Sequence, residues 1–236
     1  MKRAALAASA SALSLTAVLT ACSDESDTDA KPESSPSSAQ AKQVSPAERL
    51  AKLMVTDADL DGETVQEIES EFLFAEAQDE VTVDKPVCAP LAYAMNQLPL
   101  GEAQADLARY TSTGPAATYI ALAAYGADGD AESAMAGLSK AIDSCGGGFT
   151  AKANGNTSPY DSVAAEQASA AGDETLAFKS TMTFRGASHV LRTQAVRSGD
   201  VIAVYFAVNG TAIANAQPSE AQLAKPVVRA QNKKLG

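Results

Sequence analysis

The chain has no tryptophan, one histidine and three cysteines in 236 residues, and aromatics account for 5% of it. Zinc sites draw on several His, Cys or carboxylate ligands in order, and the single imidazole, His189, leaves that supply missing. A triad hydrolase needs a base beside its nucleophile. No GxSxG accompanies His189, which sits between Ser188 and Val190 in a strand-like run and reads as a surface or edge-strand residue. Without tryptophan, stacking platforms for sugars are scarce. Basic residues are also in deficit, 18 Lys and Arg against 29 Asp and Glu, for a net charge of −11. That balance opposes binding to nucleic acid and to anionic lipid headgroups. No cofactor or metal is expected.

A long apolar run is absent as well. Lys2 and Arg3 precede an uncharged, Ala- and Ser-rich stretch from Ala4 to Val18. Spanning a bilayer takes about 20 predominantly apolar residues, so this stretch reads as a cleaved signal peptide over residues 1–21. Leu19-Thr20-Ala21-Cys22 resembles the lipobox of bacterial lipoproteins, in which the cysteine carries a diacylglyceryl thioether and becomes the new amino terminus. The resemblance implies that Cys22 is the lipidation site and that the protein meets the membrane through its N-terminal lipid, at the outer face of the cell membrane. Removing the leader with Lys2 and Arg3 would take the formal charge from −11 to −13.

With Cys22 acylated, Cys88 and Cys145 remain as an even pair in an exported domain, where a disulfide is permitted. Two buried thiols are the alternative. There is no CxxC spacing to suggest redox catalysis.

Residues 22–45 begin with Cys22 and continue with mostly Ser, Asp, Glu, Ala, Lys and Pro, with Val44 as the only bulky apolar side chain, a composition that cannot offset the entropy of ordering. They are expected to form a disordered tether spanning about 25–30 Å. Residues 46–236 suit one domain.

Within that domain, Ser45-Pro46-Ala47-Glu48 has the form of a capping box opening a short helix through Leu50, Leu53 and Met54. Alternation predicts a strand over Thr64–Phe74, and Cys88–Leu98 shows helical spacing up to Pro99. Ala105–Tyr125 predicts a hairpin broken at Ser112-Thr113-Gly114-Pro115, with helix competing because alanine is abundant. Asp130 caps an amphipathic helix whose stripe is Ala134, Met135, Leu138, Ala141, Ile142 and Cys145, closed by Gly146-Gly147-Gly148. Residues 155–171 read as a polar excursion. Thr175–Arg185, Ser188–Arg197 and Val201–Val208 predict strands, the last central because it is apolar on both faces. Ser219 and Gln222 offer another capping box before a terminal helix that Pro226 kinks or restarts. The fold class is α+β: an antiparallel β-sheet packed with a few helices, covered mainly on one face, with one disulfide, after a disordered N-terminal tether.

Chemistry-bearing clusters are few. Asp57, Asp59, Asp61 and Gly62 look like the start of a calcium loop, yet position twelve falls on Ile68 where a bidentate Glu is needed, so an acidic turn is expected. Asp173 and Glu174 are adjacent and face different ways. Gly146–Gly148 follow a helix where a phosphate cradle would precede one. Arg109, Tyr119, Arg192 and Arg197 are polar groups set within strands, the candidate ligand-binding residues if a cleft exists; plain solvent-facing positions are the alternative.

The order of lipobox, low-complexity tether, Leu53 with Ala58-Asp59-Leu60, Cys88-Ala89-Pro90-Leu91 and a helix ending at Cys145 resembles actinobacterial sensor-domain lipoproteins. Gly172-Asp173-Glu174-Thr175-Leu176-Ala177-Phe178 and Val196-Arg197-Ser198-Gly199-Asp200-Val201-Ile202-Ala203-Val204 are similar to phrases in the extracellular sensor domain of PknH-like serine/threonine kinases, so that the likeness runs over about residues 50–236. It implies an antiparallel sheet with packed helices, a disulfide and a cleft for an unknown ligand. The chain departs from the kinases in offering one disulfide where two are usual, and in having no kinase domain or spanning helix. The expectation is a non-enzymatic, membrane-anchored extracytoplasmic ligand-binding or sensor module whose partner is an unknown small molecule or envelope protein. A carboxylate-dependent cell-wall hydrolase and a structural envelope adaptor are the alternatives.

Overall fold

The computed structural model describes residues 44–70, 73–113 and 115–236. The signal peptide, Cys22 and nearly all of the tether lie outside the described residues. Ser45 caps helix α1 (Pro46–Leu53) by the expected capping box, its hydroxyl accepting from Glu48 N while the Glu48 carboxylate takes the Ser45 N–H.

The main sheet is built from hairpins. Strands β3 (Ala105–Thr113) and β4 (Ala116–Ala124) pair antiparallel, as do β8 (Glu174–Phe184) and β9 (Ala187–Ser198). Strand β10 (Val201–Val208) joins the two hairpins, pairing with β4 on one side and β9 on the other. Its seven buried residues, Val201 to Ala207, explain why it is apolar on both faces. A two-residue strand β1 (Val65–Gln66) extends the sheet beyond β3, and β7 (Ser162–Ala165) extends it beyond β8. The expected strand over 64–74 thus shrinks to Val65–Gln66, with 71–72 outside the described residues. In the short strand that forms, Val65 packs against the core and Gln66 is exposed.

Alternation along the strands builds two cores. On one face Ala121, Ala123, Ala195, Ile202, Val204, Phe206 and Phe178 pack with α2 (Ala89–Ala94) and α3 (Asp128–Ser144). On the other, Ile120, Leu122, Val196, Ala203 and Tyr205 pack with Leu50 of α1 and with Val227 and Val228 of α5 (Lys225–Leu235). The sheet is therefore covered by helices on both faces, which corrects the expectation of one covered face. That second layer joins chain segments at opposite ends of the domain, a pairing local periodicity does not encode. A disulfide links Cys88, at the end of the 3-10 turn before α2, to Cys145, the cap residue of α3.

Other boundaries move. Helix α2 ends at Ala94 rather than Leu98, and α3 begins at Asp128 rather than after Asp130. The excursion at 155–171 holds two strands: β6 (Asn156–Tyr160) pairs with β5 (Phe149–Ala153), which also pairs with β2 (Thr82–Val83) in a separate small sheet, and β7 follows. After a short helix α4 (Gly210–Ala214), Ser219–Glu220 form β11, parallel to β9, instead of capping a helix. Helix α5 starts at Lys225 with Pro226 in its first turn, where the missing N–H costs nothing, so no kink results.

Buried Gln231 of α5 fastens the two ends of the domain. Its carbonyl accepts from Val55 N at 2.9 Å and its amide donates to Leu53 O at 2.8 Å. Both cores and the disulfide fall within Gln43–Gly236, a unit compact in itself. A segment starting at Gln43 therefore carries both cores and the disulfide, and is expected to fold by itself.

The Asp57–Gly62 run is spent on a turn. Asp57 accepts Val65 N at 2.7 Å, and Asp59 accepts Thr56 N at 2.8 Å, Thr56 Oγ1 at 2.9 Å and Lys234 Nζ at 2.9 Å. The Lys234 ammonium, then the Thr56 donors, hold the Asp59 pKa at about 2 against an ordinary 3.8. A lowered folded-state pKa stabilises the fold above the unfolded value, and that contribution fades as pH falls from about 3.8 to about 2. A carboxyl-carbon NMR titration should place the Asp59 midpoint near 2, and Lys234→Met should move it up towards 3.8. A midpoint unchanged by the substitution would show that the turn, not the long-range pair with Lys234, sets the shift.

Candidate ligand cleft

Residues at even positions of β9 point to the face shared with α1 and α5, so Arg192 and Gln194 lie side by side there with Ala177 of β8. Beyond them the chain leaves β7 as an extended arm. Glu166 N donates to Ala177 O at 2.8 Å, ending the pairing, and the arm is regained where Ala171 N donates to Thr175 Oγ1 at 3.0 Å. Between this arm and α5 lies an open cleft of about 760 Å³, with Arg192, Gln194 and Ala177 as its floor and Lys225, Val228, Arg229 and Asn232 on the helix side.

Arg192 sets the rim. Its guanidinium donates to Glu166 at 3.1 Å, to Glu220 at 2.7 Å and to Ala221 O at 2.7 Å, tying the arm and β11 to the sheet. The Glu220 hydrogen bond, against the pull of burial, raises the Arg192 pKa, and Arg192 in turn lowers that of Glu220. With each of its three nitrogens bonded to a protein acceptor, Arg192 positions the rim.

Gln194 differs. It is 8% exposed and lines the cleft, and among the described residues its amide makes no hydrogen bond. Its amide atoms are not closed off from solvent: they face the open cleft, where water or a ligand can serve them. Beside it, the hydroxyl of buried Tyr205 donates to Asn232 Oδ1 at 2.5 Å, leaving the Asn232 amide N–H groups available at the helix wall. Burial raises the Tyr205 pKa, so the phenol remains a donor.

The other candidates from the sequence do not converge on this place. Arg197 is five residues from Arg192 and faces the opposite side, where it meets Asp173 at 3.3 Å and Glu132 and Glu174 at 3.7 Å. Tyr119, also on that side, stacks with Tyr110 at 5.6 Å and tilts against Phe206 at 6.0 Å, and burial raises its pKa. Arg109 pairs with Glu67 at 2.9 Å on β3. Of the four, Arg192 alone lines the cleft. Sequence reading missed Gln194, Lys225, Arg229 and Asn232. Two signals were there: a glutamine two residues after Arg192, on the same face of the strand, and two cations four apart on one helix.

His189 is neither a surface nor an edge residue. It is 0% exposed, and its Nδ1 lies 2.9 Å from Ser219 Oγ while Nε2 has no partner among the described residues. Parallel pairing of β11 brings Ser219 alongside, an arrangement invisible in the local sequence. A ring closed off from solvent gives a substrate no approach.

No family model matches the chain, and no curated protein matches it. Among solved structures, the extracellular domain of PknH from Mycobacterium tuberculosis matches with a TM-score of 0.51 at 12% identity, over 82% of this chain and 96% of that one. The chain shares that domain's fold. Among the described residues, no helix is long and apolar enough to cross a membrane.

Proposed function

We propose that this chain is a non-catalytic sensor module that binds a small ligand between α5 and the β8–β9 floor and is held at the outer face of a cell membrane by lipid on Cys22. The observation that carries the reading is an open cleft of about 760 Å³ with the Gln194 amide, which bonds to no other side chain or backbone group among the described residues, presented at its floor. That volume lies in the range of small-molecule sites. Likeness to the extracellular domain of PknH supports the same reading at the level of fold, and the Leu19–Cys22 sequence supports the anchor.

The two halves of the proposal are tested separately. Thermal-shift screening of the segment from Gln43 against envelope peptides, glycans, lipids and metals should find a compound that raises the melting temperature. At a hundredfold excess over Kd the gain is about 2.7 kcal/mol, or roughly 5–10 °C for a domain of this size. A null result across the panel would count against a small-molecule sensor. In cells, Cys22→Ser should leave an uncleaved precursor or release the protein into the medium, since stable anchoring needs two acyl chains. Membrane retention at wild-type mass, resistant to salt washing, would overturn the anchor.

A further inference from the structure

We infer that the cleft takes a soluble anionic amphiphile, a molecule with a carboxylate or phosphate head and a compact apolar body; this rests on the cleft being the ligand site. The ionisable groups around the cleft are Glu166, Arg192, Lys225 and Arg229. Arg192 is shared between Glu166 at 3.1 Å and Glu220 at 2.7 Å, a cluster of two carboxylates and one guanidinium that the two cations of α5 outweigh. Lys225 and Arg229, one turn apart and so on the same side of α5, enter no ion pair among the described residues. The cleft is thus left positive on a chain whose acids outnumber its bases by 29 to 18.

Two exposed cations are weak individually, but a concave wall concentrates their field. The first turn of α5 lies at the same place. Its cap residue, Ala224, offers no side-chain cap to the opening N–H groups, so the positive end of the helix dipole adds to the field of Lys225. Gln194 supplies what charge alone lacks, an amide donor and acceptor at the cleft floor that fix orientation. Leu223, Val228, Ala171 and Ala177 provide the apolar remainder of the lining. The volume, about 760 Å³, exceeds the needs of an inorganic ion and suits a head joined to a body. A free molecule is favoured over a headgroup still in its bilayer, because the net charge of −11 opposes approach to an anionic membrane.

The test compares decanoate with decyltrimethylammonium, the same tail with opposite heads, by calorimetric titration of the segment from Gln43. Decanoate should bind at least about tenfold more tightly. The double variant Lys225→Glu/Arg229→Glu, at exposed positions, should remove that preference while the unliganded melting temperature stays within about 2 °C. Gln194→Leu should weaken decanoate with the tail contacts intact. Ala170→Trp, which fills the cleft from an exposed position on the arm, should abolish binding of both probes. If the cationic probe binds equally or better and Ala170→Trp removes it, the cleft reading stands and the anionic assignment is overturned. If neither probe binds, or binding survives Ala170→Trp, both readings are overturned. Sedimentation with phosphatidylglycerol vesicles should show no uptake; uptake lost in the double variant would replace the soluble ligand by a bilayer headgroup.

Discussion

Replacing the Cys88–Cys145 disulfide is expected to lower the melting temperature by about 10 °C. The two residues are 57 apart in sequence, and in the chain-entropy account closing a loop of that length stabilises the fold by about 4 kcal/mol. Both cysteines are 0% exposed and belong to the core that α2 and α3 form against the sheet. The bond therefore fixes α2 to the C-terminal end of α3, two elements that otherwise meet only through apolar side chains. Cys88→Ala/Cys145→Ala tests this better than serine, which would add unpaired hydroxyls to an apolar site. Urea unfolding of the oxidised protein and the double variant gives the difference directly. A loss below about 1 kcal/mol would show that native packing alone holds the helices. The cleft lies on the opposite face of the sheet, so below the melting transition the variant should retain ligand affinity.

Gly148→Ala is expected to cost about 3 kcal/mol or more. Gly148 has φ +76°, a conformation that charges an L-residue about 1–2 kcal/mol by itself. An added Cβ would stand 2.2 Å from Tyr160 O, 2.6 Å from Asp161 O and 2.7 Å from Asp161 C. All three are backbone atoms at the junction of β6 and β7, so no side chain can rotate out of the way. Relief requires moving β6, where Phe149 and Tyr160 stack at 4.8 Å, or the turn in which Gly148 N donates to Cys145 O at 2.9 Å. Gly155→Ala is the control. Gly155 has φ +75°, yet an added Cβ would meet nothing within 4 Å, so it should cost only the conformational penalty. Equal losses in the two variants, measured by urea unfolding, would show that the close approach at Gly148 carries no energy. The sequence reads Gly146–Gly148 as a helix stop; the contact that requires glycine at 148 comes from residues 160 and 161.

Local pattern carried much of the fold. Ser45 and Glu48 specify their helix start because both partners of a capping box lie within one turn. Met135, Leu138, Ala141 and Ile142 specify a buried stripe because helical spacing puts them on one side. Val201–Ala207 specify a central strand because only a strand covered on both faces can be apolar at every position. Cys88 and Cys145 could be paired by elimination, without distances. Tertiary packing decided the rest. Parity along β9 separates Arg192 from Arg197 although they are only five positions apart, and parallel pairing of β11 buries His189 against Ser219. The cleft itself exists because α5 folds back across the sheet, bringing Lys225 and Arg229 over Gln194. Whether a strand glutamine faces solvent, a core or a cavity depends on what packs across from it, and that element lies about thirty residues away, beyond the reach of any local period.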